Sequence, residues 1–265
     1  VSDAGLHWYH TLELPGGELT PGWFDTRGAV DRVPWPAASL RGLRCLDVGT
    51  WDGFWAFEME RRGADEVVAI DVPDPRGWDW PARATPTGME MLGVMKGEDR
   101  AFDVAARALR SRVRREDLSV YALDPERLGR FDLVFLGSLL LHLRDPVGAL
   151  ERVRAVCRGT LVLAETVELV ASLRWPRRPV ARLEGDDAPW WWQPNVATVR
   201  RMVRAAGFRA VAATGLYFVP LGPAHPRPPL REGWREARTP AGRERLVARW
   251  LGVPHTALRA VPSAA

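Results

Sequence analysis

The sequence predicts an α/β chain built on a doubly wound, mostly parallel sheet of seven strands, and three observations carry that expectation. Strand-like apolar runs alternate with helix-like segments from residue 43 to about 165, the order that parallel strands joined by crossover helices produce. The first such strand breaks at two glycines, Gly49 and Gly53, before a helix begins, and sheets of this kind leave room for a ligand there. Composition is that of a folded globular chain, with 46% hydrophobic and 26% charged residues among 265.

Residues 1–40 are rich in Trp, Gly and Pro, as in WYH, TPGWF and VPWP, and show no sustained period; they read as a cap over the sheet. The main domain is expected over 41–220. It opens with strand LRCLDV, helix 54–62, strand EVVAIDV, helix RAFDVAARALRSRV and strand LSVYAL. Strand FDLVFLG, helix DPVGALERVRAV and strand GTLVLAE follow. An insertion over about 166–194, rich in Arg, Pro and Trp, reads as a lid segment, after which helix VATVRRMVRAAG and strands FRAVAAT and LYFVPL complete the sheet. Residues 221–265 read as a Pro-rich extension with one short helix, GRERLVARWLG, and a frayed terminus.

Several function classes are disfavoured at once. The longest apolar stretch, 133–143, is too short to cross a bilayer, and the opening VSDAGLHWYH lacks the basic and apolar regions of a signal peptide. The two cysteines, Cys45 and Cys157, sit in apolar segments without metal or redox spacing. A cytoplasmic protein with no membrane contact and no metal is expected. The net charge of +4 and pI near 9.6 invite a nucleic-acid reading. Yet Lys96 is the only lysine, the remaining basic residues being arginines, and the densest run, RSRVRR at 110–115, continues an apparent helix whose solvated face explains it. Nucleic acid is disfavoured on charge and stays open.

The turn after the first strand carries Asp47, Gly49 and Gly53 in the spacing D-x-G-x-x-x-G. It lacks the G-x-G-x-x-G that cradles a pyrophosphate. Asp71 closes the second apolar run, where a carboxylate accepts both hydroxyls of a ribose. An adenosine without phosphates fits these residues, and S-adenosylmethionine is the common cofactor of that kind.

The segments LDVGTWDGFWAFEMERRGADEVVAIDV, GRFDLVFLGSLLLHLRDPVGALERV and LVLAETVEL resemble the Rossmann-like class I S-adenosylmethionine-dependent methyltransferases. More specifically, they resemble the branch related to the bacterial tRNA wobble-uridine carboxymethyltransferases, from WYHTLEL to PNVATVRRMVRAAGF. The resemblance implies that Asp47, Gly49, Thr50 and Gly53 contact the methionine part and Asp71 the ribose. It places Leu123 and Asp124 beside the adenine, with backbone near Ala122 as the alternative, and Gly137 beside the sulfonium. Two positions depart from the branch. Trp51 stands where many methyltransferases have glycine. Leu141 stands where the carboxymethyl enzymes have the tyrosine that, with a lysine near the N-terminus, reads the extra carboxylate; the cap here has no lysine. An unpartnered buried carboxylate is costly, so methyl transfer is favoured over carboxymethyl transfer.

For an acceptor that needs a base, His142 after the fourth strand and Glu165 at the end of the fifth are the first candidates, and His10 in the cap the second. The alternative is that His142 caps the next helix and Glu165 bonds backbone amides. Thirteen tryptophans exceed the needs of one core. Trp8, Tyr9, Trp23 and Phe24 of the cap, with Trp191, Gln193 and Asn195 of WWWQPN, are expected to line the acceptor pocket. The expectation is O-methylation of a small molecule such as a bacterial natural product. Methyl or carboxymethyl transfer to a tRNA base is the alternative, and a cofactor-binding protein without transfer is the third reading.

Overall fold

The computed structural model describes residues 6–97, 100–185, 190–225, 238 and 240–263. Part of the Pro-rich extension, 226–237, lies outside them. Strands β3 (Arg44–Val48), β4 (Glu66–Asp71), β5 (Arg114–Asp117), β6 (Phe131–Gly137) and β7 (Cys157–Thr166) form a parallel ladder in the spatial order β5-β4-β3-β6-β7. The chain runs outward from β3 to β5, then crosses back to β6, so the direction of winding reverses between β3 and β6. Ligands of such sheets bind outside the strand ends at that reversal.

Side-chain alternation builds the two layers of the core. Cys45, Ala69, Leu133, Phe135, Val162 and Ala164 face one side, with helices α1 (Phe54–Arg61) and α3 (Arg100–Leu109). Leu46, Val48, Val68, Ile70, Val134, Leu136, Leu161 and Leu163 face the other, with α5 (Pro146–Val156) and α7 (Val196–Ala205). The near-continuous apolar runs follow from burial on both faces. Helix starts carry their own signals. Asp145 caps α5 by accepting the Gly148 amide at 2.8 Å with Pro146 at the first position, and Asn195 caps α7 by accepting the Thr198 amide at 2.9 Å.

Three sequence expectations are corrected. Helix α3 stops at Leu109 instead of running to Val113: Arg110 takes φ 52° and the Ser111 amide reaches back to the Ala106 carbonyl. The arginines after it form the edge strand β5, whose Arg114 pairs with Glu66 and Glu116 and Arg115 with Asp117. A charged edge strand resists pairing with other chains, which is why its pattern does not read as a buried strand. LSVYAL, expected as that strand, is a 3-10 turn over Val120–Ala122.

The third correction concerns the end of the chain. Val253–Pro262 is not frayed; it is a ten-residue strand, β12, inserted antiparallel between β7 and β10 (Phe208–Ala213). Leu258 lies opposite Leu163 and Phe208 opposite Pro262. LYFVPL supplies a shorter strand, β11 (Tyr217–Val219), which pairs only with the start of β12 and brings the sheet to eight strands. The cap contributes β1 (Trp8–His10) parallel to β2 (Gly22–Phe24). The insertion after β7 holds α6 (Leu169–Arg174) and a hairpin of β8 (Ala181–Leu183) with β9 (Trp192–Pro194). Helix α2 (Pro86–Lys96) lies where no helix is expected, α8 (Pro240–Leu251) begins two residues before GRERLVARWLG, and α4 (Pro125–Leu128) is a single turn.

Because β12 is buried between two strands, Leu258→Ala is expected to lower unfolding free energy by about 2–5 kcal/mol in denaturant titrations. Removing residues 253–263 is expected to abolish the cooperative transition.

Candidate functional site

The glycine turn joins β3 to α1. Gly53, at φ 89°, starts the helix, and an added Cβ there would lie 2.4 Å from the Phe57 ring; only glycine fits. Trp51 also has positive φ, 50°, a conformation that costs a side chain about 1–2 kcal/mol. Its amide donates to Asp71 Oδ2 at 2.6 Å, and its ring lies 4.8 Å from Tyr9 and 4.5 Å from the Lys96 ammonium. These contacts hold the tryptophan where related turns have glycine. Asp71 Oδ1 accepts the Val72 amide at 2.7 Å.

Asp47 is buried at the end of β3, and burial pushes its carboxyl up to about 7. Its Oδ2 and the Thr50 hydroxyl oxygen are buried without a hydrogen-bond partner. Two unpartnered acceptors at a glycine turn cost stability until a donor arrives. They suit a cationic group with several N–H bonds, as the ammonium of S-adenosylmethionine has.

Asp52 of the same turn, fully buried, was not singled out from sequence although it is an acid inside the motif. Its Oδ2 accepts the amides of Tyr9 and His10 at 2.9 and 2.7 Å, and its Oδ1 takes His10 Nδ1 at 2.5 Å. An ionised carboxylate only accepts, so Nδ1 donates to it, and in the neutral form of the ring Nε2 carries the lone pair. Strand β2 brings Gly22 so close that a Cβ would sit 2.2 Å from the His10 carbonyl carbon.

Beneath this cap lies a cavity at the carboxyl ends of β6 and β7, lined among others by Tyr9, His10, Phe24, Trp55, Ser138 and His255. Gly137 also lines it. An added Cβ there would meet the Phe135 ring at 2.8 Å. His255, from β12, is the second histidine here and was missed because its strand was missed. Its Nδ1 lies 2.9 Å from the Val253 carbonyl and its Nε2 3.0 and 3.1 Å from the hydroxyls of Ser138 and Thr166. Burial pushes it down to about 4, so the ring is neutral, donating from Nδ1 and accepting at Nε2.

The expected His142–Glu165 pair is not assembled at this cavity. His142 closes a 3-10 turn over Leu140–His142 and is not among the lining residues; Asp145, not His142, caps the following helix. Glu165 accepts the amides of Leu140 at 3.0 Å and Thr166 at 3.3 Å, and burial pushes it up to about 8. Its work is to hold the backbone after β6. Leu123 is buried in the core, and Asp124 caps α4 by accepting the Glu126 amide at 2.9 Å. The residue across the sheet edge from Asp71 is Asp117, because β5 comes earlier in the chain than expected.

The acceptor residues divide in the same way. Tyr9 and Phe24 line the cavity and Trp23 packs on Tyr9 at 6.2 Å, while Trp8 is in the core. The residues of WWWQPN do not line it. Trp191 donates to the Asp79 carbonyl and receives Arg144 over its ring; Gln193 accepts from Arg182. Asn195 donates to the Trp175 and Arg178 carbonyls while capping α7. They brace the insertion against the sheet.

Residues 27–213 match the family described as Methyltransferase domain. The chain belongs to this family. Its methyl donor is S-adenosylmethionine. Among curated proteins, the chain is 29% identical over 211 residues to the tRNA U34 carboxymethyltransferase of Cellvibrio japonicus, covering 78% of this chain and 56% of that one. The enzyme of the same name from Pseudomonas paraeruginosa is 27% identical over 177 residues, 65% of this chain and 47% of that one. The chain thus spans about half the length of these relatives. Among solved structures, the fold is similar to a Haloferax volcanii methyltransferase complex with the Trm112 activator, with TM-score 0.53 and 17% identity over 92% of this chain and 90% of that one. It is also similar to the 1,6-didemethyltoxoflavin-N1-methyltransferase of Burkholderia thailandensis, with TM-score 0.50 and 15% identity over 84% and 72%. Among the described residues no helix is long and apolar enough to cross a membrane.

Glu165 yields a pH prediction. Its carboxyl ionises near 4.5 when unfolded and near 8 when folded. Between those values the folded chain keeps a proton that the unfolded chain has released, so stability falls as pH rises. Glu165→Gln removes this contribution. Its Tm relative to the parent protein is expected to rise by several degrees between pH 5 and pH 8 in thermal melts.

Proposed function

We propose that the protein transfers the methyl group of S-adenosylmethionine to the oxygen of a ring hydroxyl on a pyrimidine base in RNA, presented in the cavity under the cap. The observation that carries this reading is His10: a histidine tied through Nδ1 to a buried carboxylate and lining a cavity beside Gly137. When bound, the cofactor would supply an electrophilic methyl carbon on a sulfonium whose sulfur can accept the departing electron pair. Everything else falls to the chain. Asp47 and Thr50 receive the ammonium, Asp71 the ribose, and Gly137 leaves space at the methyl. His10 Nε2 takes the proton of the attacking hydroxyl, and Asp52 steadies the resulting imidazolium. Tyr9, Phe24 and Trp55 give a planar ring its contact surface and keep water out.

RNA as acceptor is supported by the tRNA-modifying relatives and by the exposed face of the insertion. Arg174, Arg177 and Arg178 are exposed there and form no ion pair among the described residues, with exposed Trp175 close by in the chain and exposed Trp190 across the insertion. Guanidinium groups interleaved with aromatic rings suit a phosphate backbone and its unstacked bases. Methyl rather than carboxymethyl transfer is supported by Leu141 and by the lysine-free cap. A second reading, methylation of a small planar molecule, draws on the cavity itself, whose lining contains no carboxylate, lysine or arginine.

Incubation with labelled cofactor and tRNA containing a ring-hydroxylated pyrimidine, followed by nucleoside mass spectrometry, tests the first reading. Label in a small-molecule extract and none in RNA would favour the second. His10→Ala is expected to lower turnover roughly 10²–10⁴-fold with cofactor affinity nearly unchanged, whereas His142→Ala should stay within a few-fold of the parent rate. Replacing Arg174, Arg177 and Arg178 by Gln should weaken tRNA binding and reduce the slope of log K against log salt by about 2–3.

A further inference from the structure

Lys96 is the chain's only lysine, and its side chain is fully buried. It ends α2, stacks over Trp51, and donates to Asp71 Oδ2 at 2.6 Å. Trp51 donates to the same oxygen, and Val72 to the other. An ionised carboxylate offers about four acceptor positions. Three are filled here, two of them on Oδ2, while a ribose diol that gives both hydroxyl hydrogens needs two. The Trp51 and Val72 donors are main-chain groups of the turn and of the strand end. Among the described residues, Lys96 alone reaches Asp71 from a separate helix.

We propose that Lys96 competes with the cofactor's ribose for Asp71, so that its ammonium leaves the carboxylate when the cofactor binds and its presence sets cofactor affinity. The inference rests on the reading of Asp71 as the ribose acid. While Lys96 is in place, Asp71 and the Trp51 ring form a closed set: the ammonium satisfies the carboxylate and lies against the face of the indole. Binding replaces one charge-assisted bond to Asp71 by two hydroxyl donors and returns the ammonium to water. The helix that carries Lys96 exposes Met91 and Val94 to solvent, and Gly97 after it has φ 60° with open space where a side chain would stand. Movement of the last turn of α2 therefore disrupts little apolar burial at those positions.

A single lysine makes the test direct. The parent protein is treated with an amine-acylating reagent, with and without saturating S-adenosylhomocysteine, and modification of the peptide containing Lys96 is followed by mass spectrometry. Acylation is expected to be slow in the free protein and at least tenfold faster with S-adenosylhomocysteine. Calorimetry should show Lys96→Met binding S-adenosylhomocysteine roughly five- to tenfold tighter than the parent. Binding with acylation unchanged or slowed would overturn the proposal, as would weaker binding by Lys96→Met. The acylation arm uses the parent protein, so it stands even where the variant folds poorly. Failure of both proteins to bind S-adenosylhomocysteine would overturn the cofactor reading, and the competition with it.

Discussion

The buried Asp52 carboxylate is the contact on which the site depends. It belongs to the turn that follows the first strand of the sheet, yet all three of its hydrogen bonds go to the cap, two to the backbone of β1 and one to the His10 ring. Those bonds do three things at once. They satisfy a charge that would otherwise be buried without partners, they seat the cap over the strand ends, and they fix which nitrogen of His10 is free. The parallel pairing of β1 with β2, only three residues each, would be a weak scaffold by itself. Anchored to the turn, it becomes the roof of a cavity.

Charge is arranged around that cavity with some economy. Burial holds His255 neutral, and burial also favours the protonated forms of Glu165 and Asp47. The walls nearest the strand ends thus carry little net charge, which leaves the Asp52–His10 pair as the polar group able to respond to a developing positive charge. In a medium of low polarizability such a pair acts more strongly than it would in water. The neutral His255, bonded to the Ser138 and Thr166 hydroxyls, fixes the rim of β6 and β7 instead of exchanging protons. Ser138 has φ 49°, and these bonds hold it there.

Strand β12 links the two halves of this arrangement. It carries His255 into the site and at the same time closes the sheet between β7 and β10, residues far apart in the chain. The insertion does a comparable job on the outer side. Trp191 donates to Asp79, whose carboxylate accepts from Tyr121 and from the Arg144 amide, and Asn195 gathers three carbonyls from the preceding loop. A segment so braced presents its arginines and exposed tryptophans on a fixed frame beside the site.

The amino-acid sequence by itself determined what local chemistry dictates. Apolar runs buried on both faces marked β3, β4, β6 and β7; Asp145 with Pro146 marked the start of α5; Asp47, Gly49 and Gly53 marked the ligand turn, because positive φ and close approach call for glycine. Tertiary structure decided whatever depends on partners distant in the chain. β5 is a charged edge strand whose arginines pair with neighbouring carboxylates, so its pattern resembles a solvated helix. β12 has short apolar stretches broken by His255, Thr256 and Arg259, and becomes a strand only because β7 and β10 flank it. As sequence, His142 ranks ahead of His10, because it directly follows a core strand whereas the cap shows no period that would place it. The backbone turn that points β1 at Asp52 made His10, and not His142, a cavity histidine, and no local pattern encodes an interaction across 42 residues.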